Sequence, residues 1–152
     1  MNPMRPRRCL VTGAAGFIGS HLVERLVRDG VEVRAFVRYG SHGTLGNLDL
    51  LPAEVRSEVE VVAGDVADAG SVDAAVAGCD TVLHLAAIIS IPYSYRAPRQ
   101  CLEVNAGGTM NVLESCRRHG VRRLVHTSTS EVYGTAREVP MSEFHPRSGQ
   151  SP

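Results

Sequence analysis

The sequence contains no lysine and no tryptophan, and aromatic residues make up only 5% of its 152 positions. The sixteen basic side chains are therefore all arginines, and sixteen Asp and Glu side chains balance them to a formal net charge of +0. A chain without net charge has no overall field that attracts nucleic acid or anionic lipid. We therefore expect neither general nucleic-acid binding nor attachment to a membrane surface.

Long hydrophobic runs are also absent. The longest apolar stretch covers residues 82–91 and is interrupted by His84, whereas a bilayer span needs roughly 20 apolar residues. The basic start of the chain leads into an apolar segment that runs into glycines without a signal-type cleavage site. The sequence predicts a cytoplasmic protein without a membrane span.

Spacings typical of disulfide frameworks and metal sites are missing as well. No two cysteines form a Cys-x-x-Cys pair, and the six histidines lack the local spacing of a zinc site. The four cysteines are Cys9, Cys79, Cys101 and Cys116. We predict reduced, buried thiols and no metal ion.

What the sequence does have is a regular alternation of short β-branched runs with longer helical stretches, which is typical of βαβ units on a parallel sheet. With 43% hydrophobic residues, the chain is long enough for one domain with a substantial core. We predict strands at 9–11, 31–37, 59–63, 81–85 and 123–126, helices at 17–29, 71–77 and 99–119, and loops elsewhere, including 39–51 and 127–152. Right-handed crossovers favour the strand order 3-2-1-4-5 in a doubly wound α/β sheet.

A glycine-rich turn, Gly13-Ala14-Ala15-Gly16-Phe17-Ile18-Gly19, joins the first predicted strand to the first predicted helix. In such a turn the first glycine permits the tight bend, the second lets backbone approach a pyrophosphate, and the third lets the helix pack closely on the strand. The N-terminus of the helix then supplies amide groups for an anion. Glycines also form turns that bind no ligand, but the strand, turn and helix context favours a dinucleotide site over a purely structural turn.

Arg38 lies about 20 residues beyond this turn, where a carboxylate normally accepts hydrogen bonds from the adenosine ribose of NAD. A guanidinium pairs instead with the 2′-phosphate of NADP, and His42 is a candidate neighbour. We therefore favour NADP as the cofactor, with NAD as the alternative. The structural alternative is a solvated arginine at the end of a strand.

Two further strand ends carry residues suited to a cofactor. Gly64-Asp65-Val66 follows the third strand, where a carboxylate can accept from the adenine amino group and Val66 can lie against the ring. Asp is also a common helix cap. Leu85-Ala86-Ala87 follows the fourth strand, where small side chains let backbone lie against the cofactor or let strand and helix pack tightly.

The segment His126-Thr127-Ser128-Thr129-Ser130-Glu131-Val132-Tyr133-Gly134 follows the fifth strand. It places four consecutive hydroxyl side chains and one carboxylate at the carboxyl end of a parallel sheet, where such sheets bind ligands. A carboxylate beside hydroxyls can act as a general base on a polar sugar. The alternative from the residues alone is a capped turn with a solvated Glu131.

Taken together, these segments resemble the extended short-chain dehydrogenase/reductase family of nucleotide-sugar epimerases and dehydratases. The resemblance rests on Thr12 to Leu22, Gly64-Asp65, His84-Leu85-Ala86-Ala87, Asn105-Ala106-Gly107-Gly108-Thr109 and Ser128 to Gly134, which occur in the family's order. It implies a Rossmann-type doubly wound sheet, a nucleotide-sugar substrate and a homodimer formed partly by the helix at 99–119. The cofactor-binding residues that we predict from the motifs and the resemblance are Gly13, Ala15, Gly16, Phe17, Ile18, Gly19, Arg38, Asp65, Val66, Leu85, Ala86, Ala87, Asn105 and Thr127.

Within the family, Thr129-Ser130-Glu131 is similar to the Thr-Ser-Glu of GDP-mannose 4,6-dehydratases. This likeness implies that Thr129 orients the sugar 4-hydroxyl, Glu131 removes the C5 proton of a 4-keto intermediate, and Ser130 assists loss of the 6-hydroxyl as water. Arg38 resembles the same type, which uses NADP. Residues 91–98 are loosely similar to dehydratases that act on nucleotide-linked N-acetylglucosamine.

The sequence departs from the family in one respect. The family's Tyr-x-x-x-Lys pair, the general base for hydride transfer, has no counterpart among the 152 residues. We therefore expect residues 1–152 to form an incomplete dinucleotide-binding domain, truncated after the fifth strand, without the Tyr-x-x-x-Lys helix and the substrate domain, and inactive alone. The alternatives are a non-catalytic dinucleotide-binding module and part of a 4-epimerase, which Glu131 disfavours because epimerisation needs no base at C5.

Overall fold

The structure, a computed structural model, describes residues 6–40 and 43–150. Five strands form one sheet: β1 (Arg8–Thr12), β2 (Glu32–Arg38), β3 (Val59–Gly64), β4 (Thr81–His84) and β5 (Arg123–His126). Every neighbouring pair is parallel, and the order is β3-β2-β1-β4-β5. The order predicted from right-handed crossovers is therefore confirmed.

The helices lie on both faces of this sheet. They are α1 (Phe17–Arg28), α2 (Ala53–Arg56), α3 (Ala69–Val76), α4 (Ile91–Arg96), α5 (Pro98–Cys101) and α6 (Gly108–Arg118), with 3₁₀ turns at Gly46–Leu50 and Ser130–Tyr133. The carboxylate of Asp68 caps α3 by accepting from the amides of Gly70 and Ser71. Helix α1 ends where Gly30 takes a φ of 72°, the left-handed conformation that glycine adopts without strain.

The core consists of two apolar clusters, one on each face of the sheet. In β1 the side chain of Leu10 belongs to one cluster, while Cys9 and Val11 belong to the other, as the period of two along a strand requires. Strand β5 is mostly exposed. The two clusters therefore hold β1 at the centre of the sheet and bring the ends of β1 and β4 together.

Arg34 is a buried charge in the middle of β2, with a side chain that is only 10% exposed. Its Nη1 donates to the carbonyls of Ala75 and Ala77, at 2.6 and 2.9 Å, where α3 ends. Its Nε donates to the carboxylate of Glu60 at 3.0 Å. Arg34 therefore supplies the donors that the carbonyls at the end of a helix need.

Four segments predicted as loops contain helical turns, among them 52–58, where Ala53–Arg56 forms α2. Within 39–51, Gly46–Leu50 forms a 3₁₀ turn that buries Leu48 to 1% exposure. Within 86–98, Ile91–Arg96 forms α4, in which Pro92 occupies the first turn and the hydroxyl of Ser90 accepts from the amide of Tyr93. A proline in the first turn needs no amide partner, so the loop predicted through Pro92 contains a helix instead.

The helix predicted at 99–119 is not α-helical throughout. Helical structure runs from Pro98 to Arg118, but Leu102–Gly107, between α5 and α6, is a π-helix. The Ser130–Tyr133 turn also lies in a region predicted to be a loop throughout. Short π segments are often found at functional sites, and this one carries Asn105.

All four cysteines are free and buried. In the described part of the chain, no three or more His, Cys, Asp or Glu side chains are grouped as a metal ion would need. None of the helices in residues 6–40 and 43–150 is long and apolar enough to cross a membrane.

Candidate functional site

The glycine-rich turn lies between β1 and α1, as predicted. Gly13 takes a φ of 68°, and a Cβ added there would lie 2.9 Å from the backbone nitrogen of Ala86. A Cβ at Gly19 would lie 2.2 Å from the carbonyl oxygen of Gly13. Only glycine fits either position, and as a result the end of β4, the turn and α1 approach one another closely.

Gly16 differs from the other two glycines because the space in front of it is open. A Cβ added there would meet a single atom, the carbonyl oxygen of Gly13, at 3.2 Å. Gly16 is the N-cap of α1, and no side chain caps the helix there. Phe17 and Ile18 in the first turn are 72% and 66% exposed. The amides at the start of a twelve-residue helix therefore face open space, where an anion is stabilised.

The 3₁₀ turn at Gly46–Leu50 packs against the glycine-rich turn at Ala15. The amide of Asn47 donates to the carbonyl of Ala15 at 3.0 Å. A Cβ on Gly46 would lie 2.8 Å from the same carbonyl. Ala15 is therefore held by backbone contact, a role that the alternation of strands and helices did not reveal.

A buried network ties β1 to β4. The Thr12 hydroxyl accepts from the amides of Leu85 and Ala86, both at 3.1 Å, and lies 2.7 Å from Nδ1 of His84. Burial, with a smaller effect of the charge of His126, lowers the pKa of His84 to about 4. His84 is therefore neutral at neutral pH. Sequence reasoning included His84 in a motif but assigned no role to it.

This network continues to the π-helix and to the loop after β4. Nε2 of His84 lies 3.2 Å from the Thr109 hydroxyl, which donates to the carbonyl of Asn105 at 2.6 Å. The Asn105 side chain accepts from the amide of Ile88 at 2.8 Å and donates to the carbonyl of Ile88 at 2.9 Å. Asn105 thus fixes the loop that contains Ala87, and its predicted contact with a cofactor stays a prediction.

Three predicted residues lie at the ends of β2 and β3. Arg38 is exposed and pairs in register with Gly64, while His42 lies outside the described residues. Asp65 is exposed, and its Oδ1 accepts from the amide of Ala67 at 2.9 Å. Val66 is buried in the apolar cluster beneath α6, so the structure gives it a packing role, and contact with an adenine ring stays a prediction.

The segment after β5 lies at the same edge of the sheet. The amide of Thr127 donates to the carbonyl of His84 at 3.0 Å, which places it beside β4. The Thr129 hydroxyl accepts from the amide of Glu131 at 3.2 Å and so begins the 3₁₀ turn. The side chains of Ser130 and Glu131 are exposed. The structure therefore presents a carboxylate and hydroxyls at the carboxyl end of the sheet, as predicted.

Residues 134–150 fold back onto this 3₁₀ turn. His145 is only 5% exposed, and its ring lies edge-on to the ring of Tyr133 at a centroid distance of 5.8 Å. The hydroxyl of Tyr95 in α4 donates to the carbonyl of Gln150 at 3.3 Å. No periodicity or motif in the sequence pointed to His145, because its partners lie within an irregular loop.

Comparisons with known proteins fit this geometry. The chain is 44% identical over 131 residues to a 3 beta-hydroxysteroid dehydrogenase/Delta 5-->4-isomerase of Mycobacterium tuberculosis, covering 82% of this chain and 32% of that protein. It is 39% identical over 150 residues to a dTDP-glucose 4,6-dehydratase of Streptomyces antibioticus, covering 94% and 43%. The solved structure of a Thermus thermophilus UDP-glucose 4-epimerase in complex with NAD matches with a TM-score of 0.79 and 36% identity, covering 95% and 45%.

The chain spans about a third to under half of the length of these relatives. A family model described as GDP-mannose 4,6 dehydratase matches residues 10–152, nearly the whole sequence. The match includes the glycine-rich turn, the ends of β3 and β4, the long helix and the Thr129-Ser130-Glu131 segment. The chain therefore belongs to the GDP-mannose 4,6-dehydratase family.

Proposed function

We propose that this chain binds a nicotinamide dinucleotide along the glycine-rich turn and forms the cofactor-binding part of a nucleotide-sugar 4,6-dehydratase. The observation that carries the proposal is the open, uncapped N-terminus of α1 behind Gly16, at the same edge of the sheet as Glu131. Residues 1–152 are proposed as one dinucleotide-binding domain. The substrate class comes from the family and from the relatives, which include a dTDP-glucose 4,6-dehydratase.

The residues present fit a dinucleotide. A pyrophosphate needs backbone that a Cβ does not shield and amides that no side chain satisfies. Gly16 provides the first and the start of α1 provides the second. The adjoining Ala86 and Ala87 are small, and the network of Thr12 and His84 fixes the backbone of Leu85 and Ala86. We therefore assign the pyrophosphate to this turn and the adjoining part of the cofactor to the end of β4.

The preference for NADP over NAD is the finer part of the proposal. It is supported by Arg38, an exposed guanidinium at the end of β2, where a fixed positive charge favours a ribose 2′-phosphate. The Thermus thermophilus epimerase is in complex with NAD, so relatives alone do not favour NADP. The choice depends on Arg38.

The dehydration chemistry that we propose is centred on the turn at Thr129-Ser130-Glu131. The glycine-rich turn and the end of β4 would hold a nicotinamide dinucleotide, which would supply a hydride acceptor for C4 of the sugar and a hydride donor for C6. The 4-hydroxyl proton would go to the family's tyrosine base, which has no counterpart among the 152 residues. Thr129 accepts from the amide of Glu131, which leaves its hydroxyl proton to donate to the sugar 4-oxygen. The carboxylate of Glu131 takes the C5 proton, which a neighbouring ketone acidifies, and Ser130 assists departure of the 6-hydroxyl as water.

The long helical segment supports a further family expectation, a homodimer. Leu102, Met110 and Leu113 are 67%, 59% and 48% exposed on this segment, which gives it an apolar outer face. Such faces commonly mark contact with another chain. Sedimentation of the purified protein distinguishes a dimer from a monomer.

A nucleotide-sugar 4-epimerase is the second candidate, favoured by the likeness to the Thermus thermophilus enzyme. Glu131 discriminates the two candidates, because epimerisation at C4 removes no proton from C5. The test uses protein purified from cells that express the native gene, incubated with GDP-mannose, dTDP-glucose and UDP-glucose. A product lighter by one water, absent with Glu131→Gln, supports dehydration. An isomer of unchanged mass that still forms with Glu131→Gln supports epimerisation.

A further inference from the structure

We propose that His145 is a positioning residue, which fastens residues 134–150 onto the Ser130–Tyr133 turn and thereby sets the backbone that carries Glu131. This inference rests on the proposed function for its catalytic consequence. The structural part rests on the contacts of His145 and on the contacts that residues 134–150 make with the turn and with α4.

The first step is the burial of His145. The tail from residue 134 to residue 150 is almost entirely exposed, yet His145 is 5% exposed. The neighbouring Phe144 is 96% exposed, so the tail buries an imidazole in preference to an adjacent benzyl side chain. Apolar burial alone does not account for that choice, because phenylalanine is the more hydrophobic of the two.

The second step is that both ring nitrogens of His145 have partners. The amide of Arg137 donates to Nε2 at 3.0 Å, so Nε2 carries no proton. Nδ1 lies 2.9 Å from the carbonyl oxygen of Pro146 and must therefore be the protonated nitrogen. One side chain thus holds both ends of the bend between residues 137 and 146.

The third step is the position of the backbone that follows this bend. At Gly134, which has a φ of 66°, an added Cβ would lie 2.1 Å from the carbonyl oxygen of Ser148. A Cβ on Gly149 would lie 3.6 Å from the carbonyl oxygen of Glu131. The backbone that follows His145 therefore packs directly on the backbone of the Ser130–Tyr133 turn and of the adjoining Gly134.

The end of the tail, at Gln150, also contacts α4. The side chains of Thr135 and Gln150 hydrogen bond at 3.2 Å, and Tyr95 donates to the carbonyl of Gln150. Tyr133, which precedes Gly134, is the residue whose ring His145 contacts. Loss of the His145 contacts thus loosens both the turn at Glu131 and the contact with Tyr95.

The test compares three variants. His145→Phe keeps a ring against Tyr133 but has neither hydrogen bond, whereas His145→Gln offers an acceptor where Nε2 stood. Phe144→Ala is the matched control, because its side chain is exposed. The readouts on the purified chain are the ¹⁵N tautomer signature of His145, amide exchange at Arg137 and the amide shifts of Glu131 and Gly149.

We expect a protonated Nδ1 in the native chain and amide exchange at Arg137 that is about tenfold faster in His145→Phe. The shifts of Glu131 and Gly149 should move in that variant, and His145→Gln should restore both readouts while Phe144→Ala changes neither. A protonated Nε2 in the native chain overturns the proposal without any variant. Unchanged exchange and shifts in His145→Phe, or a glutamine no better than phenylalanine, also overturn it.

The catalytic consequence is measured on protein purified from cells expressing the native gene. We expect His145→Phe to lower kcat for dehydration about tenfold with KM nearly unchanged, and His145→Gln to recover most of it. An equal rise in KM instead contradicts positioning of Glu131. If no nucleotide sugar is dehydrated by the native protein, the proposed function fails, while the exchange and shift results still decide whether His145 holds the turn.

Discussion

The Thr12 hydroxyl lies 2.7 Å from Nδ1 of His84, and this contact sets the protonation of the whole buried network. Because the oxygen of Thr12 already accepts from the amides of Leu85 and Ala86, its own proton goes to Nδ1. The remaining ring proton is then on Nε2, directed at the hydroxyl of Thr109. A neutral imidazole therefore joins β1, β4 and the long helical segment.

Acidification should destabilise the fold through His84. Burial lowers its pKa from 6.5 to about 4 in the folded chain, so between these values the unfolded chain binds a proton that the folded chain does not. The free energy of unfolding then falls as pH falls through this window, by at most about 1.4 kcal/mol per pH unit. Below the pKa of His84 in the folded chain, both states bind the proton and the free energy of unfolding no longer changes through this residue.

Urea unfolding at a series of pH values measures this effect. We expect the native chain to lose more stability between pH 6.5 and 4 than His84→Asn does. His21→Asn, at an exposed position on α1, is the matched control and should follow the native curve. Parallel curves for the native chain and His84→Asn would contradict the assignment.

Replacing Arg34 should be among the most destabilising changes to a charged residue. Arg34→Met removes the donors to the carbonyls of Ala75 and Ala77 and one of two arginine partners of Glu60, which keeps its ion pair with Arg8. Unpaired buried groups of this kind cost about 3 kcal/mol. Arg25→Met removes an ion pair whose arginine is 75% exposed and should cost under about 1 kcal/mol. Equal losses in urea unfolding would show that Arg34 is not a helix cap.

Gly19→Ala should disturb the glycine-rich turn. The new Cβ would lie 2.2 Å from the carbonyl oxygen of Gly13 and 2.9 Å from Cα of Ala14, and backbone atoms there have little room to move. We expect a loss of about 2 kcal/mol or more in the free energy of unfolding, together with weaker dinucleotide binding. Gly40→Ala, where nothing lies within 4 Å, is the control. A Gly19→Ala variant as stable as the control would contradict the close approach of turn and helix.

Arg38→Ala tests the proposed preference for NADP. Loss of the guanidinium should weaken NADP binding about tenfold, because a charge-assisted hydrogen bond contributes about 1.5–3 kcal/mol. The affinity for NAD should change little. Arg99→Ala, at an arginine whose side chain is 90% exposed on α5, controls for the loss of one positive charge. Calorimetric titration with both dinucleotides measures the ratio, and an unchanged ratio means that Arg38 does not read the 2′-phosphate.

The sheet order was predictable because each strand of this fold is a short apolar run and each crossover has a fixed hand. The turn at Gly13, Gly16 and Gly19 was also predictable, because the spacing of its glycines reflects the close approach of the strand and helix backbones. By contrast, α4 was missed because Pro92 suppresses a helix everywhere except in its first turn. The strand order and the glycine-rich turn could both be predicted because their signals lie in short, continuous segments of the sequence.

Contacts between distant residues could not be read in this way. The hydrogen bonds of the Asn105 side chain to the backbone of Ile88, seventeen residues away, have no signal in the sequence, and the predicted contact of Asn105 with a cofactor stays a prediction. The sequence likewise has no signal for the burial of Val66 beneath α6, and its predicted contact with an adenine ring stays a prediction. His145 drew no attention because its partners are backbone atoms of an irregular loop. Each of these roles depends on packing that only the three-dimensional structure supplies.

The most direct test of the account is calorimetric titration of the native chain and of Gly16→Val with NADP and NAD. The added side chain would fill the open space before the N-terminus of α1 while meeting only the carbonyl oxygen of Gly13 near its Cβ position. We predict one binding site in the native chain and binding at least about tenfold weaker in Gly16→Val, measured under conditions where urea unfolding shows that the variant is fully folded. A native chain that binds neither dinucleotide, or a Gly16→Val variant that binds as tightly as native, would contradict the central claim.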